Sequence, residues 1–296
     1  AATNDTTPTI EGTAEAGSTV ELFNGDTSLG TATTGSDGTF SITTGELADA
    51  DYSLTVTATD TAGNTSSAST ALALTIDTAA PEAPVITTET LLTNINTPTI
   101  EGTAEAGSTV ELFNGDTSLG TATAGSDGSF SITSSVLTDA DYTLTVTATD
   151  AAGNTSSAST ALVLTIDTEA PEAPVITTTT DLTNNPTPDI AGTAEAGSTV
   201  TLFSGDTSLG TATAGSDGSF SITPTLADSD YVLTVTATDA AGNTSSASTA
   251  LELTIDTTAP EAPVITTTTD LTNINTPTIE GTAEAGSTVT LFSGDT

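Results

Sequence analysis

The chain has 296 residues and carries 39 Asp and Glu side chains but no Lys, Arg or His, which gives a formal net charge of −39. Because nucleic acids and anionic membrane surfaces are bound through basic side chains, this composition argues against both as partners and calls for mobile cations instead. The absence of Cys rules out a disulfide framework and a thiolate site, and no apolar stretch approaches the roughly 20 residues of a spanning helix, so direct membrane insertion is not expected.

An internal repeat organises the chain. The segment Thr-Pro-Thr-Ile-Glu-Gly-Thr-Ala recurs almost unchanged, with its proline at Pro8, Pro98, Pro188 and Pro277, at spacings of 90, 90 and 89 residues. A period of this length is typical of one small domain per repeat. The predicted domains are residues 1–79, a repeat that lacks its first strand; 80–168 and 169–257, two complete repeats; and 258–296, a partial repeat with strands A to C.

Seven short strands are predicted in each complete repeat. Turn residues separate runs rich in Thr, Val, Ile and Phe, in which apolar side chains occupy every second position, the period of a β-strand. In the second repeat the predicted strands are A at 83–87, B at 97–104, C at 108–114, D at 117–123, E at 129–133, F at 141–149 and G at 159–166. This pattern predicts an all-β chain of tandem immunoglobulin-like seven-strand β-sandwich repeats in an elongated array.

The alternation also predicts the core of the second repeat. Its expected members are Val85, Ile100, Val110, Leu112, Phe130, Ile132, Tyr142, Leu144, Val146, Leu162, Leu164 and Ile166. Tyr142 stands at the start of strand F, where sandwiches of this kind place a tyrosine corner, so its hydroxyl is expected to bond nearby backbone. We assign this tyrosine a structural role.

Three motifs resemble a known family of repeats. Gly-Thr-Ala-Glu-Ala-Gly-Ser-Thr-Val, Val-Thr-Ala-Thr-Asp-x-Ala-Gly-Asn and Thr-Ile-Asp-Thr-x-Ala-Pro are similar to the bacterial Ig-like repeats of giant adhesins, which fill the extender regions of RTX-type and biofilm-associated surface proteins. The resemblance implies an extracellular, cell-surface-attached protein exported by type I secretion, whose repeats project a binding tip away from the cell. It also implies Ca²⁺ near the domain junctions as the cofactor that stiffens the array.

The predicted strands bring acidic loops to one end of each sandwich. The BC, DE and FG loops share that end with the start of strand A, where the linker from the preceding repeat arrives. In the second repeat the loops carry Glu105, Asp127, Asp150 and Asn154, and the linker carries Asp77. Carboxylates that converge without a basic partner repel one another unless a hard cation lies among them, and Ca²⁺ accepts about six to eight oxygen ligands in flexible geometry. These residues are therefore candidate metal ligands.

The other repeats carry equivalent candidates. They are Asp167, Glu195, Asp217, Asp239 and Asn243 at the next junction; Asp256 and Glu284 at the last; and Glu15, Asp37, Asp60 and Asn64 in the first repeat, where the upstream linker is absent and the site would be incomplete. A simpler interpretation stays open, because Asp and Asn in turns often bond their own backbone without any ion. A second acidic group, Asp116, Asp139 and Asp141, lies at the opposite end and is interpreted as solvated loop.

The absence of the usual catalytic side chains limits the functions that the chain can have. Without His, Lys or Cys, catalysis would have to rely on carboxylates and hydroxyls alone, so no enzyme is predicted. The predicted function is a structural extender stiffened by Ca²⁺, with calcium ions and neighbouring repeats as its partners. In one alternative, exposed threonine rows such as Thr143, Thr145 and Thr147 bind ice or a glycan surface. In the other, the terminal A to C fragment pairs with a neighbouring chain in an extracellular filament.

Overall fold

The computed structural model describes residues 1–268 and 272–294. Every regular element in those residues is a β-strand, which confirms the all-β prediction. The chain divides into two compact units, Ala1–Glu169 and Ala170–Thr296, and each is described by itself. The first unit holds the first two repeats, and the second holds the third repeat and the partial fourth.

The second repeat forms a sandwich of two sheets. Its strands are β8 (Val85–Ile86), β9 (Leu92–Thr93), β10 (Thr99–Thr103), β11 (Thr109–Asn114), β12 (Thr117–Thr123), β13 (Ser129–Thr133), β14 (Ala140–Thr149) and β15 (Leu162–Ile166), numbered after the seven strands of the first repeat. One sheet has the order β13-β10-β8 and the other β12-β11-β14-β15-β9. The predicted strand A, at 83–87, contains β8, whereas β9 was not predicted. Because β8 pairs antiparallel with β10 and β9 pairs parallel with β15, strand A is in fact divided between the two sheets.

The first repeat has the same two sheets, but the smaller sheet has two strands where that of the second repeat has three. Its strands are β1 (Ala2–Thr3), β2 (Thr9–Thr13), β3 (Thr19–Asn24), β4 (Thr27–Thr33), β5 (Thr39–Thr43), β6 (Ala50–Thr59) and β7 (Leu72–Ile76). The sheets have the orders β1-β7-β6-β3-β4 and β2-β5. The first repeat thus contains β1, the counterpart of β9, so it includes the second half of strand A and not a counterpart of β8.

The second unit repeats this architecture. The third repeat contains β16 (Val175–Ile176), β17 (Leu182–Thr183), β18 (Ile190–Thr193), β19 (Thr199–Ser204), β20 (Thr207–Thr213), β21 (Ser219–Ile222), β22 (Ser229–Thr238) and β23 (Leu251–Ile255). Its sheets have the orders β16-β18-β21 and β17-β23-β22-β19-β20. In the partial fourth repeat β24 (Val264–Ile265) pairs antiparallel with β25 (Gly281–Thr282).

A tight hairpin joins β11 and β12, whose register shifts at an irregularity between Leu112 and Phe113. The two residues between the strands are Gly115 and Asp116, and Gly115 has a φ of 59°. Glycine at the first position of a two-residue loop is typical of a type II′ turn, whose twist matches that of the flanking strands. The turn thereby places Asn114 and Thr117 opposite each other as the last pair of the two strands.

The core of the second repeat agrees with the alternation in sequence except at strand A. Most predicted members are buried, and Tyr142 and Leu162 pack against them from partly buried positions. Val85 was predicted wrongly, because it is 54% exposed, and Ile86 is the side chain that packs on the core. A strand of two residues is too short for its alternation to show which side chain points inward. Leu119, Ala124 and Leu137 complete the buried cluster.

The predicted tyrosine corner is confirmed in the two complete repeats, and the first repeat has it too. The Tyr142 hydroxyl donates to the carbonyl oxygen of Thr138 at 2.9 Å and accepts from the Thr138 amide at 3.1 Å. The hydroxyls of Tyr52 and Tyr231 donate to the carbonyl oxygens four residues earlier, at 2.9 and 3.1 Å. Each bond ties the start of the long strand to the loop before it, so the residue has the structural role expected of it.

Candidate functional site

The loops predicted to share one end of the second repeat do so. The strand register places Thr103 opposite both Val85 and Ser129, and it places Thr109 opposite both Thr123 and Thr149. The loops that follow or precede these residues therefore meet at one end. The amide of Ala104 donates to the carbonyl of Gly128 at 2.9 Å, which joins two of the loops directly.

Asp150 organises the loop between β14 and β15. Its Oδ1 accepts from the amides of Ala152, Gly153 and Asn154 at 2.8, 2.8 and 2.9 Å, and its Oδ2 accepts from Asn154 Nδ2 at 2.8 Å. Burial works to raise the pKa of this carboxyl, but the bonds from Asn154 and the loop amides outweigh it, so the pKa lies below its usual value. Asp150 is therefore held as a carboxylate by its own loop.

Asn154 connects this loop to the preceding repeat. Its Nδ2 donates both to Asp150 Oδ2 and to the main-chain oxygen of Asp77, each at 2.8 Å. Asn154 is only 8% exposed, while Asp77 and Asp150 are half-buried, so both bonds are partly shielded from water. A second bond runs beside the first, since the amide of Asn4 donates to the carbonyl of Ala152 at 3.1 Å. The structure thus brings three of the predicted residues together: Asp77, Asp150 and Asn154.

Asn4 was missed by the sequence analysis. It follows β1, and its side chain also comes close to Gly153, where an added Cβ would lie 3.7 Å from Asn4 Nδ2. A signal for it is present in the sequence, because Thr-Asn recurs at this point of every repeat, at Asn4, Asn94, Asn184 and Asn273. A recurring Thr-Asn pair is typical of turns, so the sequence alone does not indicate that Asn4 contacts another repeat.

The two other candidates in the second repeat are used locally. Asp127 Oδ1 accepts from the amide and the hydroxyl of Ser129 at 3.0 and 2.7 Å, and these bonds, the hydroxyl first, lower the pKa of Asp127. Glu105 accepts from Ser108 through its main-chain oxygen, while its side chain is exposed beside an open notch that also contains Glu82. These contacts are those of turn residues.

The equivalent loops of the other repeats have the same internal bonds. Asp60 binds Asn64, and Asp239 binds Asn243, in each case through the backbone amide and Nδ2 at 2.8 Å. Asp37 and Asp217 bond to Thr39 and Ser219 as Asp127 bonds to Ser129. The main-chain oxygens of Glu15, Glu195 and Glu284 accept from Ser18, Ser198 and Ser287. Asp167 and Asp256 each accept from the amide two residues later.

No three carboxylates lie close enough together to hold a metal ion in the residues that the structure describes. An ion at the first junction would therefore depend on main-chain and amide oxygens beside the Asp150 carboxylate. Calcium binding there stays a prediction. The predicted set of Asp167, Glu195, Asp239 and Asn243 draws on both compact units and also stays a prediction.

Two members of the acidic group at the opposite end of the sandwich, Asp139 and Asp141, are bonded to threonine. Asp139 accepts from the Thr168 hydroxyl at 2.8 Å, and Asp141 accepts from the Thr165 hydroxyl at 2.5 Å. Asp228 of the third repeat binds Thr257 in the same way, and its pKa is lowered by that hydroxyl first and by the Thr257 amide second. These carboxylates are satisfied by neighbouring side chains, as expected of exposed loop residues.

The described residues therefore form tandem β-sandwiches whose loops are organised by acidic side chains, which is the architecture of an immunoglobulin-like repeat protein. Within residues 1–268 and 272–294 there is no helix of the length and apolar character needed to cross a membrane. The Bacterial Ig-like domain family matches residues 1–78, 86–168 and 176–257. The chain belongs to that family.

Similar proteins include modules of larger polypeptides. The chain is 35% identical over 262 residues to Exoglucanase B of Cellulomonas fimi, and the match covers 80% of this chain and 23% of the relative. It thus spans about a quarter of the length of that protein. Among solved structures, the fibronectin(III)-like modules of Clostridium thermocellum CbhA are 16% identical, with a TM-score of 0.41, and the match covers 57% of this chain and 92% of that one. The BSP domain of a biofilm associated protein is 20% identical, with a TM-score of 0.26, covering 83% of this chain and 58% of that one.

Proposed function

We propose that the chain is an extracellular spacer of a bacterial surface protein, in which Ca²⁺ at the repeat junctions stiffens the array and holds a binding tip away from the cell. The observation that supports it most is the contact of Asn154 with both Asp150 and Asp77, because it joins two repeats through a single side chain. Cell-surface attachment and type I secretion are part of the same proposal and rest on the resemblance of the repeat motifs to adhesin extenders.

The chemistry of the first junction suits a hard cation. Asn154 Nδ2 lies 2.8 Å from two oxygen atoms, Asp77 O and Asp150 Oδ2, so two potential ligands already face one point. A 180° turn of the amide would place Asn154 Oδ1 where Nδ2 now stands, so that an ion beside it could take a third oxygen ligand, because Ca²⁺ accepts carboxylate, amide and main-chain oxygens together with water. The chain has no Lys, Arg or His that could neutralise the site instead. The Asn154 Nδ2 donor and the ion would therefore compete for the same two oxygens, Asp77 O and Asp150 Oδ2.

Calcium titration of the whole chain tests the proposal. Heat release on adding Ca²⁺, with a dissociation constant of roughly 10⁻⁴ to 10⁻³ M as in other extracellular modules, is expected. Small-angle scattering should show a longer maximum dimension in calcium than in chelator. Asp150→Asn should weaken binding at the first junction. Asp60→Asn is the matched control, because Asp60 likewise accepts from loop amides and from Asn64 Nδ2, without a bond from this loop to another repeat among the described residues. The absence of heat on adding Ca²⁺, together with identical scattering curves in calcium and in chelator, would contradict the stiffening mechanism.

A second candidate is a spacer inside a secreted polysaccharide-degrading enzyme. The match to Exoglucanase B favours it, because 80% of this chain aligns to 23% of that protein. The repeats would then set the distance between a catalytic part and a binding part, with the same mechanical role. Sequencing the gene on both sides of the region that encodes this chain would separate the two candidates. A glycoside-hydrolase domain beside the repeats would support the enzyme spacer, whereas further repeats and a terminal binding domain would support the surface protein.

A further inference from the structure

The first and last strands of the larger sheet lie side by side and run in the same direction. In the second repeat the Thr165 amide of β15 donates to Leu91 O, just before β9, at 2.8 Å. The Asp167 amide, just after β15, donates to Thr93 O of β9 at 3.0 Å. The chain enters this sheet through β9 and leaves the repeat after β15. A force that pulls the two ends of the repeat apart therefore slides these strands past each other along their axes.

The direction of pulling decides how the bonds between two strands break. Strands that slide along their axes load all the bonds between them together, because each bond crosses from one strand to the other. Strands that are peeled apart from one end load their bonds one after another, so each bond breaks alone. The parallel pair of β9 and β15 is loaded in the first way, so its bonds resist the force together.

The same pair of bonds occurs in the first and third repeats. β1 pairs parallel with β7, and β17 pairs parallel with β23. The donor amides and their acceptor carbonyls, at 2.8 and 3.0 Å in each repeat, are Thr75 with Ala1 and Asp77 with Thr3, and Thr254 with Asp181 and Asp256 with Thr183. Because Ala1, Leu91 and Asp181 are different residue types, the arrangement depends on the backbone of the repeat.

Two carboxylates attach the outgoing strand to the start of β14. Asp141 accepts from the hydroxyl of Thr165, which lies in β15, and Asp139 accepts from the hydroxyl of Thr168, which follows β15. Hydrogen bonds to ionised acceptors are stronger than those between neutral groups. The equivalent pairs are Asp51 with Thr75, Asp49 with Thr78, Asp230 with Thr254 and Asp228 with Thr257. These bonds hold the strand at the place where the chain leaves each repeat.

We propose that each of the first three repeats resists tension along the chain through an exit clamp. The exit clamp consists of the parallel backbone bonds between β9 and β15 and the two threonine–carboxylate bonds to the start of β14, with their counterparts in the other repeats. This inference rests on the spacer role proposed above, since a spacer that is anchored at one end and bound at the other transmits any force between them. All the bonds of the clamp are made within one repeat, so it is expected to act with calcium removed.

Single-molecule force spectroscopy of the whole chain in chelator tests the clamp by changing the direction of pulling. The chain contains no Cys, so Ala106→Cys and Ser126→Cys introduce unique attachment points, both at exposed residues. They flank the adjacent ends of β11 and β12, so pulling on them peels the edge strand β12 from β11. The second repeat should unfold at a several-fold lower force in this direction than when the chain is pulled by its two ends.

Substitutions in β15 identify the bonds that resist the force. Thr165→Pro removes both the amide that donates to Leu91 O and the hydroxyl. At a given force the second repeat should then unfold at least about fivefold faster, the factor for one net hydrogen bond. Thr165→Val removes only the hydroxyl bond to Asp141 and should have a smaller effect in the same direction. Val163→Pro is the matched control, because Val163 is 57% exposed on the same strand and lies outside the pairing of β15 with β9.

The first and third repeats keep their own clamps and provide reference unfolding events in the same trace. Equal unfolding forces in the two pulling directions overturn the proposal, as do equal unfolding rates of Thr165→Pro and Val163→Pro. An unchanged rate in Thr165→Val overturns the part that concerns the carboxylates. If Thr165→Pro does not fold, the comparison of the two directions still decides. Because every measurement is made in chelator, failure of the clamp leaves the calcium titration and scattering tests unaffected, and their failure leaves the clamp intact.

Discussion

The first and second repeats contain nearly the same loop in two settings. In both, the Asp side chain accepts from the loop amides and from the Asn side chain four residues later, with the Asn Nδ2 at 2.8 Å. Asn64 is exposed, whereas Asn154 is 8% exposed and also bonds to Asp77 of the preceding repeat. The shape of the loop is therefore a local property, and its burial depends on a neighbour.

The same comparison extends along the long strand of each sandwich. Val146 and Ala148 are fully buried beneath the segment that contains β8, while Val56 and Ala58 are only half-buried. Their own sequences are the same in both repeats, so the difference comes from the segment that covers them. The pair of repeats thus separates what a sandwich provides for itself from what the adjoining chain adds.

A buried charge should produce the largest difference in stability between the first and second repeats. Ala148→Glu would place a carboxylate where no solvent reaches, at a cost of several kcal/mol, on the order of the penalty for an unpaired buried ion. Ala58→Glu should cost much less, because that position is still half open. Hydrogen-exchange mass spectrometry of the whole chain can follow each repeat separately. Equal loss of protection in the two variants would show that β8 does not seal the second repeat.

Removing the side-chain amide of Asn154 should give the next largest difference in stability between the two repeats. Asn154→Ala leaves Asp77 O and Asp150 Oδ2 without their donor in a partly buried place, which should cost about 1 to 2 kcal/mol, the lower part of the range for an unsatisfied buried group. Asn64→Ala removes only a bond within an exposed loop and should have a smaller effect. The free energy of opening of the amides around each loop, measured by hydrogen exchange, reports both. Matching values would mean that the junction bond contributes nothing beyond the loop.

The tyrosine corners offer a finer test. Tyr142→Phe should lower the stability of the second repeat by about 0.5 to 1.5 kcal/mol, the usual net value of one hydrogen bond. Tyr52→Phe should lower that of the first repeat by less, because Tyr52 only donates to Ala48 O, whereas the Tyr142 hydroxyl also accepts from the Thr138 amide. Denaturant dependence of hydrogen exchange in each repeat gives the two values. An unchanged second repeat would contradict the structural role of Tyr142.

Acid titration should give the smallest difference. The pKa values of Asp60 and Asp150 are both lowered, Asp60 chiefly by the Asn64 side chain and Asp150 by bonds that outweigh its burial. A lowered pKa in the folded state stabilises the fold above the unfolded value of about 3.9, and this contribution disappears as the pH falls through the folded pKa. Carbon-13 NMR of the two carboxyls should therefore show both still ionised near pH 4.

Those NMR measurements have a built-in control. Global repulsion from 39 acidic groups also relaxes on acidification, so total stability would mix two effects of opposite sign, and a residue-specific reading separates them. Midpoints for Asp60 and Asp150 at or above the usual Asp value would contradict the bonding described for both loops.

Part of the site could be predicted from the sequence because it depends on neighbouring residues. The Asp150 to Asn154 spacing within an Ala-Gly-Asn turn is enough for one carboxylate to collect the loop amides, and the period-two runs are enough to place the strands and most of the core. Tyr142 was also predictable, since its partner Thr138 lies only four residues away. In each case the partners are joined by a short stretch of chain.

Other features were decided only by tertiary packing. The contact of Asn154 with Asp77 joins residues 77 positions apart, and the division of strand A between two sheets depends on which edges are free to receive it. For the same reason the sequence pointed to Val85 where the structure buries Ile86. The sequence by itself determined the repeat, the strands and the acidic turns, because these follow from local pattern. Which identical segments are buried, and which loops are joined, depends on the neighbour that each one meets in space.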